Sequence, residues 1–237
     1  MAMGAADVVP GVSGGTIAFI SGIYEELITS INNINLSLFK TLRKEGVKAF
    51  WTQLNGNFLV ALFLGIGISV FSLAKLISWL LINEPVLLWS FFFGLVIASV
   101  FFVGKAIEKW NLGTITIFII GALAAYFITT LPPSDHTDSI LFLFFSGALA
   151  VCAMILPGIS GAFILVLLGS YKTILDAVHE RDITIVATVG FGAIIGLLSF
   201  AKILKWMFSN YKNITLSLLT GFILGSLNKI WPWKEVL

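Results

Sequence analysis

Long apolar stretches separated by short polar links run through the whole chain, and their lengths predict helices that cross a membrane. About 30 Å of hydrocarbon takes some 20 helical residues. Stretches read as spans lie at 57–82, 86–104, 113–131, 183–208 and 214–228. A further apolar run, from Ile140 to Ala177, is 38 residues long. As one helix it would measure about 57 Å, far more than one crossing, and Pro157-Gly158 interrupts it near its middle. A helix-break-helix hairpin is therefore expected there, in preference to a single kinked helix. The segments are apolar on all sides, without the alternation of barrel strands. Gly and Ala are scattered through them, as suits close helix approach in a bilayer. The expected fold class is an all-α polytopic membrane protein.

Composition strengthens that reading. Only 11% of the residues are charged, against about 25% in soluble domains, so a water-facing surface could not be coated. The mean hydropathy is +1.03. A net charge of +2 with no clustered basic face argues against a nucleic-acid partner; the lipid bilayer is the expected one. The single cysteine, Cys152, allows no intrachain disulfide and leaves a thiolate metal site without partners, so no metal is expected. It reads as a packing residue. No basic n-region precedes the first apolar stretch, which Pro10-Gly11 interrupts, so no cleavable signal peptide is expected.

The polar links give a direction. Lys40, Arg43, Lys44 and Lys48 stand against Glu45 alone in link 30–56, and Lys105 and Lys109 lie in 105–112. The turn 83–85 and the link 132–138, with Asp135 and Asp138, carry no Lys or Arg. The positive-inside rule then puts 30–56 and 105–112 in the cytoplasm and 83–85 and 132–138 outside. Basic residues of the C-terminal half fall on both sides of any such scheme.

The chain also repeats itself. Pro10-Gly11-Val12-Ser13-Gly14 returns as Pro157-Gly158-Ile159-Ser160-Gly161, and the same offset pairs Gly22 with Gly169 and Tyr24 with Tyr171. A second block pairs Gly65 with Gly192, Ala74-Lys75 with Ala201-Lys202, Trp79 with Trp206 and Gly94 with Gly221. The difference between the two offsets is absorbed by the longer link 30–56. Repeat unit one is assigned to 1–131 and unit two to 139–237, the latter expected to be incomplete because no counterpart of span 113–131 follows. Three spans, an odd number, separate the motifs. If each motif segment is a re-entrant hairpin, the second unit is inverted relative to the first. Inverted repeats with interrupted membrane segments mark transporters, with the binding site at the repeat interface.

Proline breaks the helical ladder and glycine frees the turn. Ser13 and Thr16, or Ser160 in the second copy, are placed to cap the restarting helix, whose free amides must be satisfied in hydrocarbon. A positive helix end lined by amides and hydroxyls suits a phosphate, so Ser13, Gly14, Gly15, Thr16, Ser160 and Gly161 are candidate phosphate ligands. The plainer alternative is capping and tight packing with no ligand. A nucleotide-binding loop is excluded, since no Gly-Lys-Ser/Thr follows the glycines.

Lys75 and Lys202 occupy equivalent repeat positions inside apolar stretches. They either point inward as countercharge to a phosphate or snorkel to the headgroups. Asp7 has no acidic counterpart, because Met154 stands in the second copy. It is placed to bind a coupling proton or cation, or to pair with a lysine. Glu25 and Glu26 are expected at the headgroup region.

The segment Gly4-Ala5-Ala6-Asp7-Val8-Val9-Pro10-Gly11-Val12-Ser13-Gly14-Gly15-Thr16, then Gly22-Ile23-Tyr24-Glu25, with Met154-Ile155-Leu156-Pro157-Gly158-Ile159-Ser160-Gly161, resembles the bacterial polyprenyl-phosphate transporter family over essentially the whole chain. The resemblance implies a flippase in the cytoplasmic (inner) membrane that returns undecaprenyl phosphate, the carrier lipid of cell-wall synthesis, to the inner leaflet. It implicates Asp7, Pro10, Gly11, Ser13, Gly14, Gly15 and Thr16, then Pro157, Gly158, Ser160 and Gly161. The family usually has a longer helix before the first motif, where nine residues precede Pro10 here, so either a fragment of a longer protein or a trimmed gene product is expected. No cofactor is expected, and a proton or sodium gradient is the candidate drive. A membrane enzyme acting on polyprenyl phosphates is the first alternative, but neither His136 nor His179 has an acid or Arg set around it, and no catalytic residue is assigned. A small-anion channel or transporter, or a scaffold, completes the alternatives.

Overall fold

The structure, a computed structural model, describes residues 1–9, 12–134 and 139–233. The described residues form helices and connecting turns, with no strand among them. In chain order these are α1 (Ala2–Val8), α2 (Gly14–Ile20), α3 (Tyr24–Asn32), α4 (Leu36–Leu54), α5 (Gly56–Asn83) and α6 (Pro85–Gly104). Then come α7 (Leu112–Thr130), α8 (Ile140–Ile155), α9 (Gly161–Leu167), α10 (Tyr171–Glu180), α11 (Ile183–Asn210), α12 (Lys212–Gly225) and a 3₁₀ turn, Ser226–Ile230. Helices α5, α6, α7 and α11 each contain a stretch long and apolar enough to cross a membrane, and large apolar side chains stay exposed along them. The chain is a polytopic membrane protein. Local signals set the ends: Pro85 opens α6, Asn111 makes a capping box on α7, and Asp182 caps α11.

Two segments differ from the sequence expectation. The 140–177 run breaks twice, at 156–160 and again at 168–170, where α9 and α10 meet at 106°. Gly169 makes the second break with φ +69°, a conformation that hydropathy does not register. The basic link 30–56 contains the helix α4, which folds back at Gly46 (φ +85°). On a straight helix Ser37 and Gln53 would lie about 24 Å apart, yet Gln53 Nε2 donates to Ser37 Oγ at 3.2 Å.

Element bounds recur along the chain. Helices α2 and α9 run Gly14–Ile20 and Gly161–Leu167, and α3 and α10 begin at Tyr24 and Tyr171. Helices α5 and α11 are each 28 residues long. The residues after them repeat the same backbone, Glu84 at φ −135°, ψ 50° and Tyr211 at φ −139°, ψ 48°. Packing pairs α1 with α5, α8 with α11, and α7 and α6 with α12, while α2 touches both α6 and α8. Gly192 backs directly onto the carbonyl of Phe144 and Gly225 onto that of Ala122, so a Cβ would part these helices. Cys152 packs in the α8–α11 seam, its Sγ 3.6 Å from Gly196 O.

Contacts between distant residues mark two ends of the bundle. At one, Glu108 N donates to Asn213 Oδ1 at 3.1 Å, and the exposed Glu25 meets Lys212 at 3.1 Å. At the other, Thr129 Oγ1 donates to Asn228 Oδ1 at 2.9 Å, and Ser134 N donates to Leu167 O at 2.8 Å. Helix α7 and the α12–3₁₀ segment thus run parallel. Glu25 follows α2 at the first end, and Leu167 closes α9 at the second.

Candidate functional site

Each opening amide of α2 already has a partner. Ser13 is extended (φ −114°, ψ 131°) and caps the helix, its Oγ accepting from Gly15 N at 3.1 Å. Thr16 N donates to Ser13 O at 3.0 Å. Gly14 N donates to Asp7 Oδ1 at 2.7 Å, so the Asp7 carboxylate holds the place at the positive helix end that an external anion would take. Ser13 is 2% exposed and Thr16 1%.

The first motif is bonded directly to the second. The Ser13 hydroxyl reaches Met154 O and Leu156 O, both at 3.3 Å, and its single proton is shared between them. Gly158 N donates to Thr16 Oγ1 at 2.9 Å. The break at Pro157-Gly158 orphans the last carbonyls of α8 and one amide. The hydroxyls of Ser13 and Thr16 satisfy these groups, which in hydrocarbon would otherwise be costly. Contact is tight enough to require glycine: a Cβ on Gly15 would lie 2.6 Å from Ile155 O. Pro157 is fully buried, and Gly158 turns at φ +90°. Pro10 and Gly11, expected beside Pro157 at mid-depth, lie outside the described residues.

The second motif is open where the first is closed. Ser160 precedes α9 but makes no capping hydrogen bond. It is half-buried and lines a cavity of about 510 Å³ with Asp7, Phe163, Tyr171 and Lys229. Gly161 is spent on packing, its Cβ position 2.6 Å from Ala150 O. Lys229 Nζ sits 4.3 Å from the centroid of the Phe163 ring. A carboxylate, an ammonium and the hydroxyl-bearing residues Ser160 and Tyr171 therefore share one chamber. A second cavity of about 600 Å³ is almost wholly apolar, lined by Ala2, Ala5, Ile17, Ile20, Phe91 and Phe102 among others. Helix α1 borders both, with Ala2 and Ala5 on the apolar one and Asp7 on the polar one.

Lys75 and Lys202, expected to point inward, line neither of these cavities. Both are exposed, because the packed faces of their helices are set by neighbours: Ala201, Leu204 and Phe208 in α11 and Ser69 and Ile77 in α5 are among the buried positions. A long stem leading to the headgroups suits that placement. Lys75→Met and Lys202→Met are accordingly expected to change stability by no more than about 0.5 kcal/mol, as surface substitutions do; melting of the purified proteins checks this. Sequence reasoning missed Lys229. Its counterpart at the second repeat offset is Phe102, so a residue-by-residue comparison of the two units for unmatched charges would have flagged it, as it flagged Asp7. Among the described residues no group of His, Cys, Asp or Glu is arranged to hold a metal ion.

A family model described as undecaprenyl phosphate translocase-like matches residues 3–237. A polyprenyl-phosphate transporter of Vibrio cholerae serotype O1 is 52% identical over 237 residues, which is 100% of this chain and 77% of that protein. A polyprenyl-phosphate transporter of Staphylococcus aureus is 33% identical over 250 residues, 98% of this chain and 83% of that protein. No solved structure matches the chain significantly.

Proposed function

The chain belongs to the undecaprenyl phosphate translocase-like family, and from that premise we propose that it is a flippase moving undecaprenyl phosphate, or a similar polyprenyl phosphate, across the bacterial cytoplasmic membrane for carrier-lipid recycling. The observation that carries this reading is the direct bonding of the two Pro-Gly-x-Ser-Gly motifs beside a chamber holding Ser160, Lys229 and Asp7. In the proposal the phosphate sits in that chamber against the Lys229 ammonium and the uncommitted Ser160 hydroxyl. The prenyl chain lies along apolar surface of the kind that the larger cavity offers.

The two units form an inverted repeat, with hairpins α1–α2 and α8–α9 opening to opposite faces. Supporting this, the residue pairs at the exit of α2 (Glu25 with Lys212) and of α9 (Leu167 with Ser134) lie at opposite ends of the parallel α7 and α12–3₁₀ pair. Asp7 supplies the coupling. Its carboxylate and a phosphate compete for one positive helix end, so a proton or sodium ion on Asp7 releases Gly14 N, and the opening turn of α2 (Ser13, Gly14, Gly15, Thr16) becomes the phosphate's second seat.

The two serines separate the parts of this scheme. Ser13→Ala removes a cap and a bond between the motifs, and is expected to cost about 1–2 kcal/mol of stability. Ser160→Ala removes no hydrogen bond of the fold. It is expected to keep stability while weakening undecaprenyl phosphate by roughly ten- to a hundred-fold, the loss of one bond to a charged ligand. Binding measured on purified protein with undecaprenyl phosphate, undecaprenol and undecaprenyl pyrophosphate checks the reading. Equal affinity for the alcohol and the phosphate would remove the phosphate site, and an unchanged Ser160→Ala protein would move it elsewhere.

A further inference from the structure

The scaffold of the second unit does without any equivalent of α4. There, α10 ends at Glu180 and α11 begins at Ile183, whereas α3 and α5 are separated by residues 33–55. Within α4 only Leu38 is buried. At 100° per residue, Leu38, Phe39 and Leu42 fall on one arc of its first half and Lys40 and Lys44 on the opposite side, with Arg43 between Phe39 and Lys40. In the second half Val47, Phe50 and Trp51 group together, away from Lys48 and Thr52. Phe39, Leu42, Val47 and Trp51 are all exposed, so each half presents uncovered apolar side chains, the first beside Lys40, Arg43 and Lys44 and the second beside Lys48 alone.

The position of this folded helix is fixed. Trp51 Nε1 donates to Asn57 Oδ1 at 2.8 Å, and Asn55 Nδ2 donates to Glu26 Oε1 at 2.9 Å. The span within α5 starts at Gly56, so α4 sits where a membrane-crossing helix meets the headgroup layer. We propose that α4 is a lipid-docking element: its apolar side chains enter the acyl boundary of the adjacent leaflet, and its lysines and arginine rest on anionic headgroups. Four basic side chains against Glu45 alone match a negatively charged surface, and Trp51 at the boundary matches an interfacial aromatic anchor. The proposal needs only that the chain spans a membrane, and stands apart from the substrate reading.

The test uses the full chain in vesicles with Cys152→Ser as background. An environment-sensitive fluorophore is attached at Leu42→Cys or at Lys44→Cys. The Leu42 label is expected to emit to the blue and to be quenched by nitroxide-bearing lipid, and the Lys44 label to remain in water. Quenching at position 42 should increase with the phosphatidylglycerol fraction and weaken at high salt. Replacing Lys40, Arg43, Lys44 and Lys48 by Gln should reduce that dependence on lipid charge by roughly tenfold or more, with overall folding retained. Three results would overturn the proposal: a water-exposed label at 42, a blue-shifted label untouched by lipid quencher (cover by protein), or quenching indifferent to lipid charge.

Discussion

Replacing Gly15 by valine is expected to abolish transport and to lower the apparent melting temperature by roughly 6–12 °C. A Cβ at position 15 would stand 2.6 Å from Ile155 O, 3.1 Å from Met154 O and 3.1 Å from Ser13 Oγ. Two of those three atoms are backbone, so relief requires the motifs to part. Overpacking of that kind costs about 1–3 kcal/mol. Parting them also breaks the bonds from Ser13 and from Gly158 N, at roughly 0.5–1.5 kcal/mol each, which brings the sum to about 3 kcal/mol. Gly94→Ala is the control, because a Cβ there meets nothing within 4 Å and alanine is the better helix former. Melting in detergent reads both. A Gly15→Val protein as stable as Gly94→Ala would mean that the contact between the motifs does not hold the fold together.

Lys229→Met is the second large effect. The ammonium lines the chamber with Ser160 and Asp7 and lies over the Phe163 ring. Methionine keeps an apolar stem as far as Cε but removes the ammonium. A charge-assisted bond to phosphate contributes about 1.5–3 kcal/mol, so affinity for undecaprenyl phosphate should fall by roughly ten- to a hundred-fold. Affinity for undecaprenol should not change. A parallel loss for both ligands would show that Lys229 shapes the cavity without meeting the headgroup.

Much of the scaffold was legible because it depends on local signals. Span lengths follow from hydropathy. The first break of the 140–177 run follows from Pro157-Gly158. The unmatched acid at position 7 could be read by setting one unit against the other. What sequence did not give is rotation about a helix axis. Lys75 and Lys202 lie within spans, but only the packing of Ile77 in α5 and of Ala201 and Leu204 in α11 leaves them exposed. The spacing of Ser13 after Pro-Gly told of a cap, and the cap is present. Its bonds to Met154 and Leu156 are tertiary and have no sequence mark. Neither does the fold of α4, which a single positive φ at Gly46 produces.

The central claim is that this chain carries a polyprenyl phosphate between leaflets through the chamber beside the joined motifs. It is tested most directly in sealed vesicles loaded with undecaprenyl phosphate and exposed to an external, membrane-impermeant phosphatase. Vesicles without protein should release phosphate only from the outer-leaflet pool. Vesicles containing the chain should release the inner-leaflet pool as well, and vesicles containing Lys229→Met should behave like those without protein. Release from the parent protein no greater than from empty vesicles, under an imposed proton or sodium gradient of either sign, would contradict the account.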